Sequence, residues 1–313
     1  MCQLHDQIGT KIGRLFLEAD GAPALFHDER TRSLTEQVRE RRCVNDYTAD
    51  GASRSLGESI DRLGLGALDA PKGTEARQRK RHGKAPSSGG AAARRRVQTL
   101  RIHDPNDNSN NCFGCAGFTD EVAIAVGEGG AMQELRRLRA EGTIAHVGLG
   151  MNCNREAHQG VPEEIVRLLS SCERGTFDSA LLAGGWNLLC QAGLPCLLEC
   201  QRLRVEVHVA GVFASGLLVR EGGTYAYQSA SAEQVERAAR WRRLGERHGC
   251  SLPALAIAFA ALPKCVTRLV IGFGSAEQVG QTMAWVEESA KVPLALWREA
   301  RGEGLLDAAF PLP

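Results

Sequence analysis

The sequence predicts an α/β protein in which strands and helices alternate along the chain. Apolar strand patterns are each followed by a helical pattern, glycine is abundant at 35 residues, and aromatic residues make up only 5%. The 313 residues are 43% hydrophobic, which is enough to bury a substantial core. Repeated strand-then-helix patterns imply parallel strands joined by right-handed crossovers. An open doubly wound sheet and a closed barrel both satisfy this pattern, and periodicity does not choose between them.

The first half of the chain contains two predicted helices and three predicted strands. Apolar residues at helical spacing predict a helix over Ser53–Leu63 and another around Met132–Leu138 that ends at Gly142. Short apolar runs are typical of strands at Gly9–Gly13, Val97–Ile102 and Ile144–Gly148.

The second half continues the alternation with three helices and a β-branched strand. One helix is predicted from Val235, Ala239 and Leu244 on one side, with its end at Gly249, and a more buried one over Ala254–Leu262. The strand is Val266–Ile271, and a helix follows it from Ser275. The apolar residues expected to form the buried face of that helix are Val279, Met283 and Val286.

The overall charge is balanced, with 38 basic and 37 acidic residues, which predicts no global attraction to nucleic acid or anionic membrane. Residues 71–96 break this balance, because they hold nine Lys or Arg residues against the single Glu75. A segment without apolar periodicity cannot offset its ordering entropy, so a disordered insertion is predicted. A nuclear-localisation or RNA-binding arm is the alternative, although no aromatic side chain is interleaved for base stacking.

Eleven cysteines and the lack of a hydrophobic leader favour reduced thiols in a cytoplasmic protein. The longest apolar run, Leu252–Pro263, is far shorter than the roughly 20 residues of a membrane helix, so no membrane partner is expected. The pair Cys112 and Cys115 is a weak metal or redox signal, because zinc would need two further ligands. No metal site is predicted.

Three features are candidates for chemistry. His103 stands where a buried strand ends, which is the position of catalytic groups in parallel α/β folds. Lys11 lies within an apolar strand, where a lysine is either a snorkelling edge residue or a site residue. Ser275 and Gln278 fit a capping box at a helix N-terminus, which is favourable for phosphate but also ordinary for a capped helix.

Several segments then agree in order and spacing with a known family. They are Gly142–Asn152, Leu181–Gln191, Ala210–Leu218, Ser251–Pro253, Val270–Gly272 and Glu303–Asp307. Together they resemble the aldose dehydrogenase branch of the aldo-keto reductases, which includes D-threo-aldose, L-galactose and pyridoxal 4-dehydrogenases. Upstream, Gly9–Leu15, Tyr47–Leu65 and Leu100–Pro105 resemble the family's third strand, the helix before its fourth strand, and that strand's end.

The resemblance implies one (β/α)8 TIM barrel domain over residues 1–313, interrupted by the insertion 71–96. It also implies that the first two βα units, which carry the family's acid/base tyrosine and its aspartate, are lacking. Tyr47 precedes a later helix and is not taken as a substitute for that tyrosine. The implied activity is NAD- or NADP-dependent oxidation of an aldose at C1 to a lactone, with a small sugar or aldehyde as substrate.

By the same resemblance, Lys11 is the lysine that tunes the tyrosine and His103 is the histidine that orients the carbonyl. Asn152 would hold the nicotinamide carboxamide. The adenosine phosphate end of the cofactor would contact Gly272, Ser275 and Gln278. Two other function classes stay open: an inactive truncated barrel or incomplete gene model with residual dinucleotide binding, and a basic-arm interaction protein that uses the barrel as a scaffold.

Overall fold

A computed structural model of the chain describes residues 8–18, 41–63, 97–105, 118–154 and 161–312. These residues divide into two compact units, the first extending to Leu149 and the second starting at Gly150. The predicted insertion 71–96 and the pair Cys112 and Cys115 lie outside the described residues.

Six of the described strands form one sheet. In spatial order they are β1 (Ile8–Ile12), β4 (Val97–His103), β5 (His146–Asn152), β6 (Ser179–Ala183), β7 (Glu206–Ala210) and β10 (Val266–Val270). The pairs β1–β4, β6–β7 and β7–β10 are parallel. Two short antiparallel ribbons join β2 (Arg14–Glu18) to β3 (Arg41–Asn45) and β8 (Thr224–Tyr225) to β9 (Gln228–Ser229).

The helices alternate with the strands of the main sheet. Those of the first unit are α1 (Ala49–Leu63), α2 (Phe118–Val126) and α3 (Ala131–Ala140). Those of the second unit are α4 (Pro162–Ser171), α5 (Leu194–Leu203), α6 (Ala232–Arg247), α7 (Leu252–Ala260), α8 (Ala276–Ser289) and α9 (Leu294–Gly302). The predicted α/β alternation with parallel strands is therefore confirmed.

The core of the first unit lies between its sheet strands and helices α1 and α3. Leu100 and Ile102 of β4 are fully buried, as is Leu135 of α3. The helix α1 begins four residues before its predicted start, whereas β5 begins two residues and ends four residues later than predicted. The end of α3 is as expected, since Gly142 takes a φ of +72°, which suits glycine.

The core of the second unit is built on an aromatic cluster around α7. Trp186 stacks on Phe259 with 4.6 Å between ring centroids, and Trp241 and Trp297 pack around the same phenyl ring. The expectation that this helix is the more buried one is confirmed, because eight of its nine residues are buried.

One predicted buried face is wrong. On α8, Val279, Met283 and Val286 are 41%, 56% and 40% exposed, and Thr282 is the buried residue. On α6, Val235 is 50% exposed, while Ala238, Trp241, Leu244 and Gly245 are buried. Apolar spacing located the helices, but the elements packed against them determine which side is covered.

None of the helices in the described ranges combines the length and hydropathy needed to cross a membrane.

Candidate functional site

The first unit brings two predicted site residues together at the carboxyl ends of β1 and β4. In this parallel pair Lys11 lies opposite Arg101, and His103 is two residues further along β4. Residues two apart on a strand share a face, so Lys11 and His103 project to the same side. This end of parallel strands is where (β/α)8 proteins place their chemistry.

Lys11 and His103 are in direct contact through their side chains. The Nζ atom of Lys11 lies 2.9 Å from Nε2 of His103. Lys11 is exposed, so its ammonium group keeps access to water, whereas the His103 side chain is only 22% exposed. A cation and an imidazole at one strand end can together bind and orient an oxygen atom.

A third side chain joins this pair. Oδ2 of Asp104 lies 2.9 Å from the same Nε2 atom, and the Asp104 side chain is 5% exposed. The backbone of Asp104 is left-handed, with a φ of +46°. The sequence places an aspartate between His103 and Pro105, but adjacent side chains of a strand normally point to opposite faces. Sequence reasoning therefore missed Asp104.

Tyr47 supports the backbone of this site from the other side. Its hydroxyl donates a 2.5 Å hydrogen bond to the carbonyl oxygen of His103. Its ring lies against Gly13, where a Cβ atom would approach Cε1 of the tyrosine to 2.3 Å. The main chain of Asp46 completes the contact by donating to the Gly13 carbonyl at 2.9 Å. Tyr47 thus fixes the end of β4 relative to the end of β1.

In the second unit, the end of β5 carries the predicted residue Asn152 as its last, half-buried residue. Two residues later, Asn154 is buried and donates from Nδ2 to the hydroxyl of Tyr225 at 3.1 Å. Tyr225 belongs to the β8–β9 ribbon, so this hydrogen bond ties the ribbon to the chain that follows β5.

The β8–β9 ribbon and the loop after β7 contain several left-handed residues. Ala214 and Ser215 have φ values of +47° and +56°, and the ribbon's turn residues Ala226 and Tyr227 have +47° and +67°. The amide of Tyr227 donates to Oγ of Ser215 at 3.3 Å, which joins the two strained segments. Strain of this kind costs about 1–3 kcal/mol per residue and is concentrated at functional sites.

The predicted phosphate-binding segment lies at the start of α8. Ser275 caps the helix, since its Oγ accepts from the amide of Gln278 at 3.3 Å. The Gln278 side chain accepts from the amide of Gly274 at 2.7 Å rather than from Ser275, so only half of the predicted capping box is present. The segment 272–281 is exposed, and among the described residues no heavy atom beyond the chain neighbours lies within 4 Å of the position of a Cβ at Gly272. The positive end of this 14-residue helix dipole is therefore exposed in the described part of the chain.

Several cysteine thiols of the described residues are deeply buried. Burial raises the pKa of the Cys196 and Cys200 thiols well above their usual range. A thiol held protonated is a poor nucleophile, so these cysteines act as small apolar residues. Within the described ranges no group of three or more His, Cys, Asp or Glu side chains is placed to hold a metal ion.

A family model described as "Aldo/keto reductase family" matches residues 93–291, more than half of the chain. The chain belongs to the aldo/keto reductase family. It is 29% identical over 309 residues to a pyridoxal 4-dehydrogenase from Microbacterium luteolum, covering 96% of this chain and 76% of that protein. It is 24% identical over 298 residues to a D-threo-aldose 1-dehydrogenase from a Pseudomonas species, covering 93% and 73%.

A solved structure shows the same fold. The holo form of an aldo-keto reductase from Bacillus halodurans matches with a TM-score of 0.50 at 16% identity, over 85% of this chain and 70% of that one. The predicted family and its (β/α)8 fold are confirmed, and the described residues supply six strands of the barrel sheet. This aldo/keto reductase is therefore an oxidoreductase of a family that uses nicotinamide cofactors.

Proposed function

We propose that this aldo/keto reductase is an NAD- or NADP-dependent dehydrogenase that oxidises an aldose at C1 to a lactone. The contact of 2.9 Å between Lys11 and His103 carries the proposal, because it gathers two polar groups at the ends of adjacent strands. The two dehydrogenase relatives support the same reaction class. A small sugar or aldehyde is the substrate class that fits them both.

The proposed role of Lys11 and His103 is to bind and orient the reacting oxygen. An oxygen atom placed about 2.9 Å from Nζ of Lys11 would accept a hydrogen bond from the ammonium group, and Nε2 of His103 would donate a second one in the tautomer that carries a proton on that nitrogen. Donors fixed in this way stabilise negative charge that develops on the oxygen and hold the carbon in one orientation.

The second unit supplies groups that fit a dinucleotide. Asn152 has an amide for the carboxamide of nicotinamide, while the exposed backbone at Gly272 and the capped N-terminus at Ser275 and Gln278 suit a phosphate. When bound, NAD or NADP exchanges a hydride with the substrate carbon. Which of the two is preferred would be measured directly by titrating both.

The test is a steady-state assay of NAD⁺ and NADP⁺ reduction with D-arabinose, L-fucose, L-galactose and pyridoxal. We expect turnover with at least one aldose and a loss of roughly 10²–10³-fold in kcat for Lys11→Met and His103→Phe, the effect of removing an oxyanion donor. Lys291→Met, which changes an exposed lysine of the second unit, is the matched control and should keep wild-type kinetics.

A second candidate is an inactive barrel that retains dinucleotide binding. It is favoured by Tyr47, the tyrosine of the first unit, whose hydroxyl is already bonded to the carbonyl of His103. Cofactor binding in a fluorescence titration without turnover of any substrate would establish this candidate. Turnover that survives loss of both Lys11 and His103 would contradict the proposed roles.

A further inference from the structure

The carboxyl ends of β6 and β7 meet through two glycines that directly follow these strands. Gly184 and Gly211 have φ values of +78° and +76°, a conformation that suits residues without a Cβ atom. A Cβ atom at Gly211 would approach the amide nitrogen of Gly184 to 3.0 Å, and that amide donates to the carbonyl oxygen of Ala210 at 3.1 Å. The backbones of the two strand ends therefore lie against each other.

The side chain of Asn187 joins these two strand ends and is only 1% exposed. Its Nδ2 donates to the carbonyl oxygen of Gly184 at 3.1 Å and to that of Gly211 at 3.3 Å. Its Oδ1 accepts from the backbone amides of Leu189 at 2.9 Å and Cys190 at 3.0 Å. A carboxamide has two donors and two acceptor sites, so these four hydrogen bonds use its full capacity.

The chemistry of the four partners determines which side chain suits position 187. Two carbonyl oxygens face one end of the Asn187 side chain and two N–H groups face the other, so only a short carboxamide matches both ends. An ionised carboxylate would place a buried negative charge against the two carbonyls, whereas a protonated carboxyl group could donate to one of them.

The end of β5 is packed against the loop 184–190 that Asn187 closes. The amide of Cys153 donates to the carbonyl oxygen of Ala183, the last residue of β6, at 2.9 Å. A Cβ atom at Gly185 would lie 2.3 Å from the carbonyl oxygen of Cys153, so this glycine permits the close contact. Asn152 directly precedes Cys153, and its position therefore depends on where the loop after β6 is held.

We propose that Asn187 is a positioning residue that fixes Asn152 for the nicotinamide carboxamide by holding the ends of β6 and β7 together. The role of Asn152 rests on the proposed function, whereas the hydrogen bonds of Asn187 do not. The adenosine phosphate end of the cofactor has other proposed contacts, at Gly272, Ser275 and Gln278. Loss of the Asn187 side chain should therefore weaken only the nicotinamide half of the cofactor site.

Calorimetric titration of the full chain tests this selectivity with NAD⁺, NADP⁺ and their counterparts without nicotinamide, ADP-ribose and 2′-phospho-ADP-ribose. We expect Asn187→Ala to bind the preferred dinucleotide roughly tenfold more weakly, the equivalent of one or two hydrogen bonds, with unchanged affinity for the fragment. Gln191→Ala is the matched control, because its carboxamide also makes two hydrogen bonds to backbone, at Leu305 and Asp307 of the C-terminal segment. It should leave the affinity for both ligands unchanged.

Asn187→Asp keeps the inference falsifiable if Asn187→Ala fails to fold. Its carboxyl group regains a donor when protonated, and burial favours the protonated form. Its dinucleotide affinity relative to that of the wild type should therefore recover as the pH falls below neutral. A relative affinity that does not change with pH would contradict the role of Asn187.

Hydrogen exchange without cofactor separates this inference from the proposed function. Asn187→Ala should exchange faster than the wild type over residues 150–154 and 211–218, whereas Gln191→Ala should not. Unchanged exchange at 150–154, or equal loss of dinucleotide and fragment binding, would overturn the inference. A wild type that binds none of the four ligands would instead contradict the proposed function, and exchange at 150–154 would then decide alone whether Asn187 positions Asn152.

Discussion

Gly13 shows how a single residue without a side chain shapes the candidate site. It follows β1, takes a φ of +106°, and leaves room for the Tyr47 ring, whose hydroxyl holds the carbonyl of His103. A methyl group at this position would clash with the ring and would also occupy a strained backbone conformation. The ends of β1 and β4, which carry Lys11 and His103, are thus held together through Gly13 and Tyr47.

We predict that Gly13→Ala destabilises the protein by about 2–4 kcal/mol, the combined effect of overpacking and of a positive φ in a residue with a Cβ. Urea unfolding measures the loss. Gly57→Ala is the control, since Gly57 lies inside α1 and no atom of the described residues lies within 4 Å of its Cβ position, and it should stabilise by about 0.5–1 kcal/mol. Equal stability of Gly13→Ala and wild type would mean that the ring does not lie against Gly13.

At the residue scale, sequence reasoning located Lys11 and His103 but not Asp104, which contacts His103. A polar residue at the end of a buried strand and a lysine within an apolar strand are both visible in the sequence. The contact of Asp104 depends on one left-handed residue before a proline, where sequence favours an extended conformation. Tyr47 was seen, but its bond to His103 depends on tertiary packing between distant segments.

At the scale of elements, the helices α1 and α3 are joined by a polar contact as well as by apolar packing. Glu134 of α3 is 7% exposed and accepts from the hydroxyl of Ser53 on α1 at 2.6 Å. Arg137 donates to both carboxylate oxygens of Glu134, from Nε at 2.7 Å and from Nη2 at 2.6 Å. The hydrogen bonds from Arg137 lower the pKa of the Glu134 carboxyl below its ordinary value of 4.5.

This lowered pKa predicts how stability depends on pH. Because the folded state favours the ionised form, the contribution of Glu134 is complete above about pH 4.5 and is lost as the pH falls toward the folded-state pKa. We expect Glu134→Gln to cost about 1 kcal/mol at neutral pH, a small value since the Arg137 side chain is 51% exposed. Thermal melts of both proteins from neutral to acidic pH should converge on acidification. A difference that stays constant down to pH 3 or so would contradict the prediction.

At the scale of elements, the helix α8 shows which property could not be predicted from the sequence. The strand before it and its start at Ser275 were predicted, because capping residues and apolar periodicity are local signals. The stripe of Val279, Met283 and Val286 nevertheless faces outward in the described structure. Periodicity identifies an apolar face, but which neighbour covers that face is not encoded locally.

For the whole molecule, alternating strands and helices predicted an α/β protein with parallel strands. They did not predict whether the sheet closes into a barrel. The choice of a (β/α)8 fold came from motif order, and the family match confirms it. Pairing within the sheet is a long-range property, so the positions of β1 and β10 at its ends could not be read from periodicity. The separation of the described residues into two units was likewise not visible in the sequence.

The end of the sheet at β10 leads to the last prediction. This strand pairs with β7 on one side, and exposed apolar side chains lie along β10, α8 and the connection between them. We name this the β10–α8 surface, and it consists of Val270, Phe273, Val279, Met283 and Val286, each 40% exposed or more. A strand at a sheet edge offers unpaired backbone groups to other chains, and apolar patches beside it strengthen such contacts.

We therefore predict that the chain self-associates through the β10–α8 surface as its concentration rises. Val270→Lys and Met283→Lys should each weaken this association, because a charge on an edge strand or apolar patch must be desolvated when copies meet. Light scattering coupled to size exclusion over a range of concentrations measures it. Leu198→Lys is the matched control, since Leu198 is 45% exposed on α5 and gains the same charge away from this surface. If Leu198→Lys weakens self-association as much as Val270→Lys does, general charge repulsion explains the change. If the wild-type protein stays monomeric at every concentration, the β10–α8 surface does not associate.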